Sequence, residues 1–306
     1  MSSMKILVAL LASALIPARA FAALRVVTTT EDLAALARAV GGDLVVVEPI
    51  ARGYQDPHFV EAKPSYLLKL RRADLFVQVG LELEAGWAPS LLTNARNPRI
   101  HPGAPGFLDA SEGCDILEKR AGPVDRSLGD VHPLGNPHYW LDPANGLRIA
   151  RRIAARLSEL DGAHAADYAA NLKRFETDLA AREKVWDEEA KALRGLRIVT
   201  YHNSWPNLAK RFGLEVVDYV ELRPGIPASP AHVAALIAHI KKDQLPLILM
   251  EPYFDPKLPR KIAGETGIRV VIAPPSVGAE PALKTYFDLF DRILELLTAN
   301  LPGARP

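Results

Sequence analysis

Residues 24–41 read LRVVTTTEDLAALARAVG, and residues 196–213 read LRIVTYHNSWPNLAKRFG. Each opens on an apolar, β-branched run of strand length and passes through a polar turn into apolar spacing of helical period. A shift of 172 positions superposes the two without a gap, and seven of the 18 positions are identical: Leu24/Leu196, Arg25/Arg197, Val27/Val199, Thr28/Thr200, Leu36/Leu208, Ala37/Ala209 and Gly41/Gly213. Any two strand–turn–helix units share apolar periodicity, so these matches alone do not establish a duplication. The register still has a consequence. Thr30 and His202 fall at equivalent places just past the carboxyl end of a first strand, where open α/β sheets bind their ligands.

Working outward from these two units, strands are expected at residues 25–29, 44–48 and 75–79 in the first half, and at 197–201, 215–220, 247–251 and 269–272 in the second. Short strands alternating with helical patterns are the signature of βα units and a mostly parallel sheet. The middle differs in texture. Residues 119–138 are rich in Gly, Pro and Asp and read as a loop; residues 143–194 are rich in Ala, Leu, Arg and Glu and read as helix, broken near Asp161-Gly162. The stretch 163–193 reads as one long helix. The expected fold is therefore α/β, with two lobes, each a mostly parallel sheet flanked by helices, joined by one long α-helix. The amino-terminal lobe spans 21–142, the helical segment with the linking helix 143–194, and the carboxyl-terminal lobe 195–306.

Composition narrows the function. The 306 residues carry 37 basic and 36 acidic side chains, so no bulk field favours nucleic acid as a partner. A single cysteine, Cys114, rules out an intramolecular disulfide and a thiolate zinc cluster. Residues 1–20, MSSMKILVALLASALIPARA, place Lys5 ahead of an apolar run over 6–16 and end on Ala18-Arg19-Ala20, the pattern of a secretory signal. The run is about half the roughly 20 residues of a spanning helix. No cysteine lies near the cleavage site to carry a lipid, so a soluble, exported, monomeric protein is expected, with no anchor.

Three of the eight histidines stand out by context. His58 lies in GYQDPHF after the second expected strand, His138 in GNPHYWLDP before a helix, and His202 directly after the strand RIVTY. Each is next to proline, an aromatic residue or both, so rigid local backbone can aim its ring. Neutral imidazole is the commonest zinc ligand, and three imidazoles with a fourth oxygen ligand satisfy a tetrahedral ion. A lone histidine at an element boundary is more often a cap or a surface residue, and the wide spacing makes no local motif. His232 and His239, seven apart, read as partly exposed helix residues, while His101 and His164 have no supporting context. Asp56 and Asp142, each beside proline, read as turn caps.

Taken together, these residues resemble the zinc and manganese substrate-binding proteins of bacterial ABC importers. DPHFVEAKPSYLLKLRRADLFVQVG looks like the family's first histidine motif, NPHYWLDP the second and YHNSWPNLAKRFGLE the third, while ILMEPYFDPKLPRKIAGETGIRVV fits downstream. The likeness covers residues 24–299 and implies a metal held between the lobes by His58, His138 and His202. It departs at the fourth ligand. Where the family carries an aspartate this chain reads APPSVGAE, with Pro275 at that place, and proline offers no side-chain donor. Glu251, at the end of the strand LPLILME, is the nearest protein candidate, with a water as the other choice. His132, in GDVHPLGNPHYW, is a candidate supporting or accessory metal-capturing residue.

The expected function is periplasmic capture of a divalent metal and its delivery to the membrane permease of an ABC importer. Three imidazoles favour zinc over manganese, which prefers more oxygen ligands. The rival is a zinc-dependent hydrolase with a three-histidine site and an activated water. No HExxH helix or paired general base supports that rival, and the chain is read as a non-enzyme. A metal-dependent adhesin on the same scaffold is the remaining alternative.

Overall fold

Two parallel sheets of the same design carry the chain. In the first, β1 (Leu24–Thr28), β2 (Val45–Pro49), β3 (Leu75–Gln78) and β4 (Phe107–Asp109) lie in the order β2-β1-β3-β4. In the second, β5 (Arg197–Thr200), β6 (Glu215–Tyr219), β7 (Leu247–Met250) and β8 (Arg269–Ile272) lie in the order β6-β5-β7-β8. The second order is the first advanced by four strands, which is the structural counterpart of the sequence repeat. Inner strands read as unbroken apolar runs because helices cover both faces: all four residues of β7, LILM, are buried. The computed structural model describes residues 23–119, 132–223 and 225–301; the expected signal at 1–20 and most of the expected 119–138 loop lie outside them.

Helix α1 (Glu31–Gly41) follows β1, and α6 (Pro206–Phe212) follows β5, as the repeat requires. Thr30 caps α1 by accepting from the Leu33 amide at 3.5 Å. The other faces of the sheets hold α2 (Pro64–Arg72) and α3 (Ala88–Ala95) in the first lobe, and α7 (Pro230–Asp243) and α8 (Lys257–Thr266) in the second.

Between the lobes run α4 (Pro143–Leu160) and α5 (Ala165–Glu189), separated at Asp161 by a single 3-10 turn, Gly162–His164. The break falls where Asp161-Gly162 predicts it. The linking helix is shorter than expected at both ends, because a second 3-10 turn, Ala190–Leu193, closes it. Its 25 residues span about 37 Å at 1.5 Å per residue. Near its start the Asn171 amide donates to the Val40 carbonyl of the first lobe (3.1 Å). Farther along, Phe175 stacks on Phe287 (5.2 Å between centroids) and Trp186 donates to Asp291 (2.7 Å) on α9 (Tyr286–Ala299). One buried apolar cluster runs from Val26 and Leu33 through Ile149, Trp186 and Phe290 to Ile198 and Leu249, so the lobes share a core.

Two features depart from expectation. β4 was not foreseen: Phe-Leu-Asp is three residues long, too short to show a period. Several strands also stop one residue early, at Thr28, Gln78, Thr200, Tyr219 and Met250, because the chain there turns out of the ladder into the loops that build the site.

Candidate metal centre

The loops at the carboxyl ends of the strands aim three imidazoles at one point. In Asp56-Pro57-His58, one oxygen of Asp56 accepts both the His58 backbone amide (3.0 Å) and its Nδ1 (2.7 Å). In Asn136-Pro137-His138 the Asn136 Oδ1 does the same, at 3.0 Å and 3.1 Å. The turn-capping role read for Asp56 and the orientation of the ring are thus performed by the same atom. His202 has no such neighbour; its Nδ1 meets the carboxylate of Glu221, just beyond β6, at 2.7 Å. Asp142 is a cap alone, accepting from the Ala144 amide at the start of α4 (2.9 Å).

A carboxylate, or an amide oxygen already facing an N–H, can only accept, so each Nδ1 carries the proton and each Nε2 the lone pair. The candidate ligand atoms of His58, His138 and His202 all lie within 4.8 Å of one another. A tetrahedral zinc with bonds of 2.0–2.1 Å places its nitrogens about 3.4 Å apart, so a small contraction closes the shell. The Nε2 atoms of His58 and His138 are buried without a partner. Such an orphaned acceptor is costly unless something fills the gap between the rings. Trp140 and Phe254 wall the cluster, at 5.3 Å from His138 and 5.7 Å from His202 between ring centroids.

Electrostatics keeps the buried imidazoles here neutral. Burial first, and then the neighbouring His58, His202 and His132, hold the His138 imidazole well below its ordinary pKa, so it is neutral and ready to ligate. The same burial pushes His132 down to about 4. Burial works to raise the Asp56 carboxyl, but its hydrogen bonds with the ring and the backbone amide of His58 help to outweigh it and hold it low. Asp56 therefore supplies a negative charge one imidazole away from the ion site.

Glu251 is not one of the gathered group. It is fully buried, and burial pushes its carboxyl up to about 8 against the Ser204 hydroxyl beside it, aided by the nearby charges of Asp56 and Glu221. Pro275 serves the lobe contact: its carbonyl accepts from the Trp140 indole (3.0 Å). Ser276 Oγ and the Val277 amide both donate to Asp32, at 2.5 Å and 2.9 Å. His132 stands beside the group, its ring 5.3 Å from that of His58. The remaining four histidines are not in this group: His232 meets the Tyr219 carbonyl, His239 meets Asp218, His164 meets Asp161, and His101, after the first lobe's α3, has a buried Nε2 with no partner. Cys114 is half-buried and its thiol is pushed up to about 12, mainly by burial, which makes it unreactive.

Residues 26–300 match the family model described as the periplasmic zinc-uptake complex component A. Among curated relatives, the high-affinity zinc uptake system protein ZnuA of Paracoccus denitrificans is 28% identical, covering 93% of each chain. The manganese ABC transporter substrate-binding lipoprotein scaA of Streptococcus gordonii is 27% identical, covering 81% of this chain and 78% of its own. Among solved structures, a zinc-bound ZnuA deletion mutant superposes with a TM-score of 0.76 at 25% identity, covering 93% of this chain and all of that one. The family model spans nearly all of the described residues, and the chain belongs to the family of the periplasmic zinc-uptake component A.

Proposed function

We propose that this protein captures a divalent metal, zinc, between its lobes in the periplasm and hands it to the permease of an ABC importer, acting as a monomer without catalysis. The convergence of three Nδ1-anchored imidazoles within 4.8 Å carries the reading. Neutral nitrogen donors suit zinc better than manganese, which favours carboxylate and water oxygen. Glu251 lies outside the gathered group, which leaves the three histidines as the shared ligands of this reading. Asp56 and Glu221 offset the dication through the His58 and His202 rings without touching it, which keeps the donor set nitrogen-rich.

Protein purified without added metal should carry about one equivalent of zinc, and manganese should fail to displace it at large excess. Single alanine replacements of His58, His138 or His202 should weaken zinc binding at least a hundredfold while the apoprotein stays folded. Preferential retention of manganese would overturn the zinc assignment. Hydrolytic turnover by the zinc-loaded protein would overturn the transport reading.

A further inference from the structure

His132 shares the construction of the three gathered histidines. Its ring lies 5.3 Å from that of His58, the same separation as His58 from His138, and closer than the 5.8 Å between His138 and His202. Its Nδ1 is anchored on a pure acceptor, the Leu81 carbonyl, at 3.1 Å. Its Nε2 is buried with no partner, like those of His58 and His138.

The carbonyl that holds it is presented by a strained turn. Gly80, Leu81 and Glu82 follow one another in the left-handed region, at φ 79°, 55° and 68°. Two consecutive non-glycine residues there cost on the order of 1–3 kcal/mol each and persist only where their surroundings enforce them. The enforcement is visible. The buried Glu84 carboxylate accepts from the Val79 amide (2.7 Å) and the Gly80 amide (3.0 Å), and Tyr139, the residue after His138, donates to the Val79 carbonyl (2.7 Å). A side chain at Gly80 would also collide with Asp109, whose carboxylate oxygen lies 2.4 Å from where its Cβ would stand. The ring held by the middle carbonyl of this turn is that of His132.

We infer that His132 is the fourth ligand: its ring pivots on the Leu81 carbonyl to bring Nε2 onto the captured ion, completing a four-imidazole shell in place of Glu251 or a water. The inference rests on the three-histidine reading above. His132 is not within the 4.8 Å group, so the closing movement accompanies capture. An all-nitrogen shell further disfavours manganese and leaves the +2 charge to Asp56 and Glu221.

The test uses the full chain loaded with zinc, with competitive chelator titration and zinc X-ray absorption on wild type, His132→Ala, His132→Asn and His58→Ala. The asparagine amide can keep the bond to the Leu81 carbonyl while removing the donor nitrogen, so it separates ligation from loss of packing. The expected result is four imidazoles on zinc in the wild type and three plus an oxygen in both His132 variants, with affinity down at least tenfold. An unchanged imidazole count in the His132 variants would overturn the inference, whether or not affinity falls. A His58→Ala variant that binds zinc as the wild type does would instead overturn the underlying three-histidine site, so the two failures are distinct.

Discussion

Glu221 touches no ion, yet replacing it tests how the site is tuned. Its carboxylate lies 2.7 Å from Nδ1 of His202 and is only 11% exposed, so water screens it weakly. It does two things. It fixes the tautomer that leaves Nε2 free, and its charge raises the basicity of that nitrogen. Partners of this kind typically contribute 10–100-fold to metal affinity, or about 1.4–2.7 kcal/mol. The two functions can be separated. Glu221→Gln keeps an oxygen able to accept the Nδ1–H and loses only the charge, so about a tenfold loss of zinc affinity is expected. Glu221→Ala also frees the ring to turn and to choose its tautomer, so the loss should approach a hundredfold. The assay is competition against a chelator of known affinity at pH 7.5, with thermal unfolding of the metal-free variants to show that the fold is retained. Zinc affinities within twofold of wild type for both variants would refute the claim that the carboxylate works through His202. Equal losses in the two would assign the effect to charge alone.

Zinc affinity should fall below about pH 6 as protons compete for the imidazoles. His138, held low by burial, remains available well below that point; a flat titration from pH 7.5 to 5 would point to oxygen ligands. Glu251→Gln should leave zinc affinity within threefold of wild type and stabilise the apoprotein above pH 8, where the native carboxyl must otherwise ionise in a buried site; a tenfold loss of affinity would place Glu251 in the shell. Asp32 is raised from 3.8 to about 7, chiefly by burial, against its bonds to Ser276 and Val277. The unfolded chain releases that proton near pH 4 and the folded one near 7, so this group's contribution is fully present below pH 4 and is lost as pH rises through 7, by at most ~4 kcal/mol. The melting temperature of the apoprotein should therefore drop between about pH 4 and pH 7 and level off above that, and Asp32→Asn should flatten the drop; an equally steep decline in that variant would refute the assignment.

Most of the frame was legible because it is local or repeated. The paired units at 24–41 and 196–213 carry enough apolar periodicity to place both first strands and both following helices, and the sheet orders bear out their kinship. Two of the three ligand loops were legible for a further reason: DPH and NPH share an Asx two residues before the histidine, the geometry that lets one side-chain oxygen hold both the backbone and the ring. That common spacing is a signal the sequence offers on inspection. Glu221 is different. It lies 19 residues beyond His202 and meets it only because β5 and β6 are neighbours, so nothing in the local sequence marks it. Glu84 and the left-handed turn it clamps were likewise invisible, since Leu81 and Glu82 are not residues whose type announces positive φ.

The way the lobes are joined constrains how the ion leaves. A hinge between independent domains opens by separating surfaces, but here the two sheets share one apolar core through α4, α5 and α9. The cleft itself is bridged close to the ligands. The Asn136 amide, two residues before His138, donates to the carbonyl of Asn203, next to His202 (2.8 Å), and both amides donate to Glu118 (3.0 and 2.7 Å). On the far side Tyr286 donates to the Trp140 carbonyl, and Asp32 holds the turn after Pro275. Moving the lobes apart would break these bonds together and expose part of the common core. The loops that carry the histidines are joined by fewer such contacts than the sheets beneath them share through the common core. His58 sits on the one most exposed at its tip, with Tyr54 and Phe59 standing 60% and 67% open to solvent on either side.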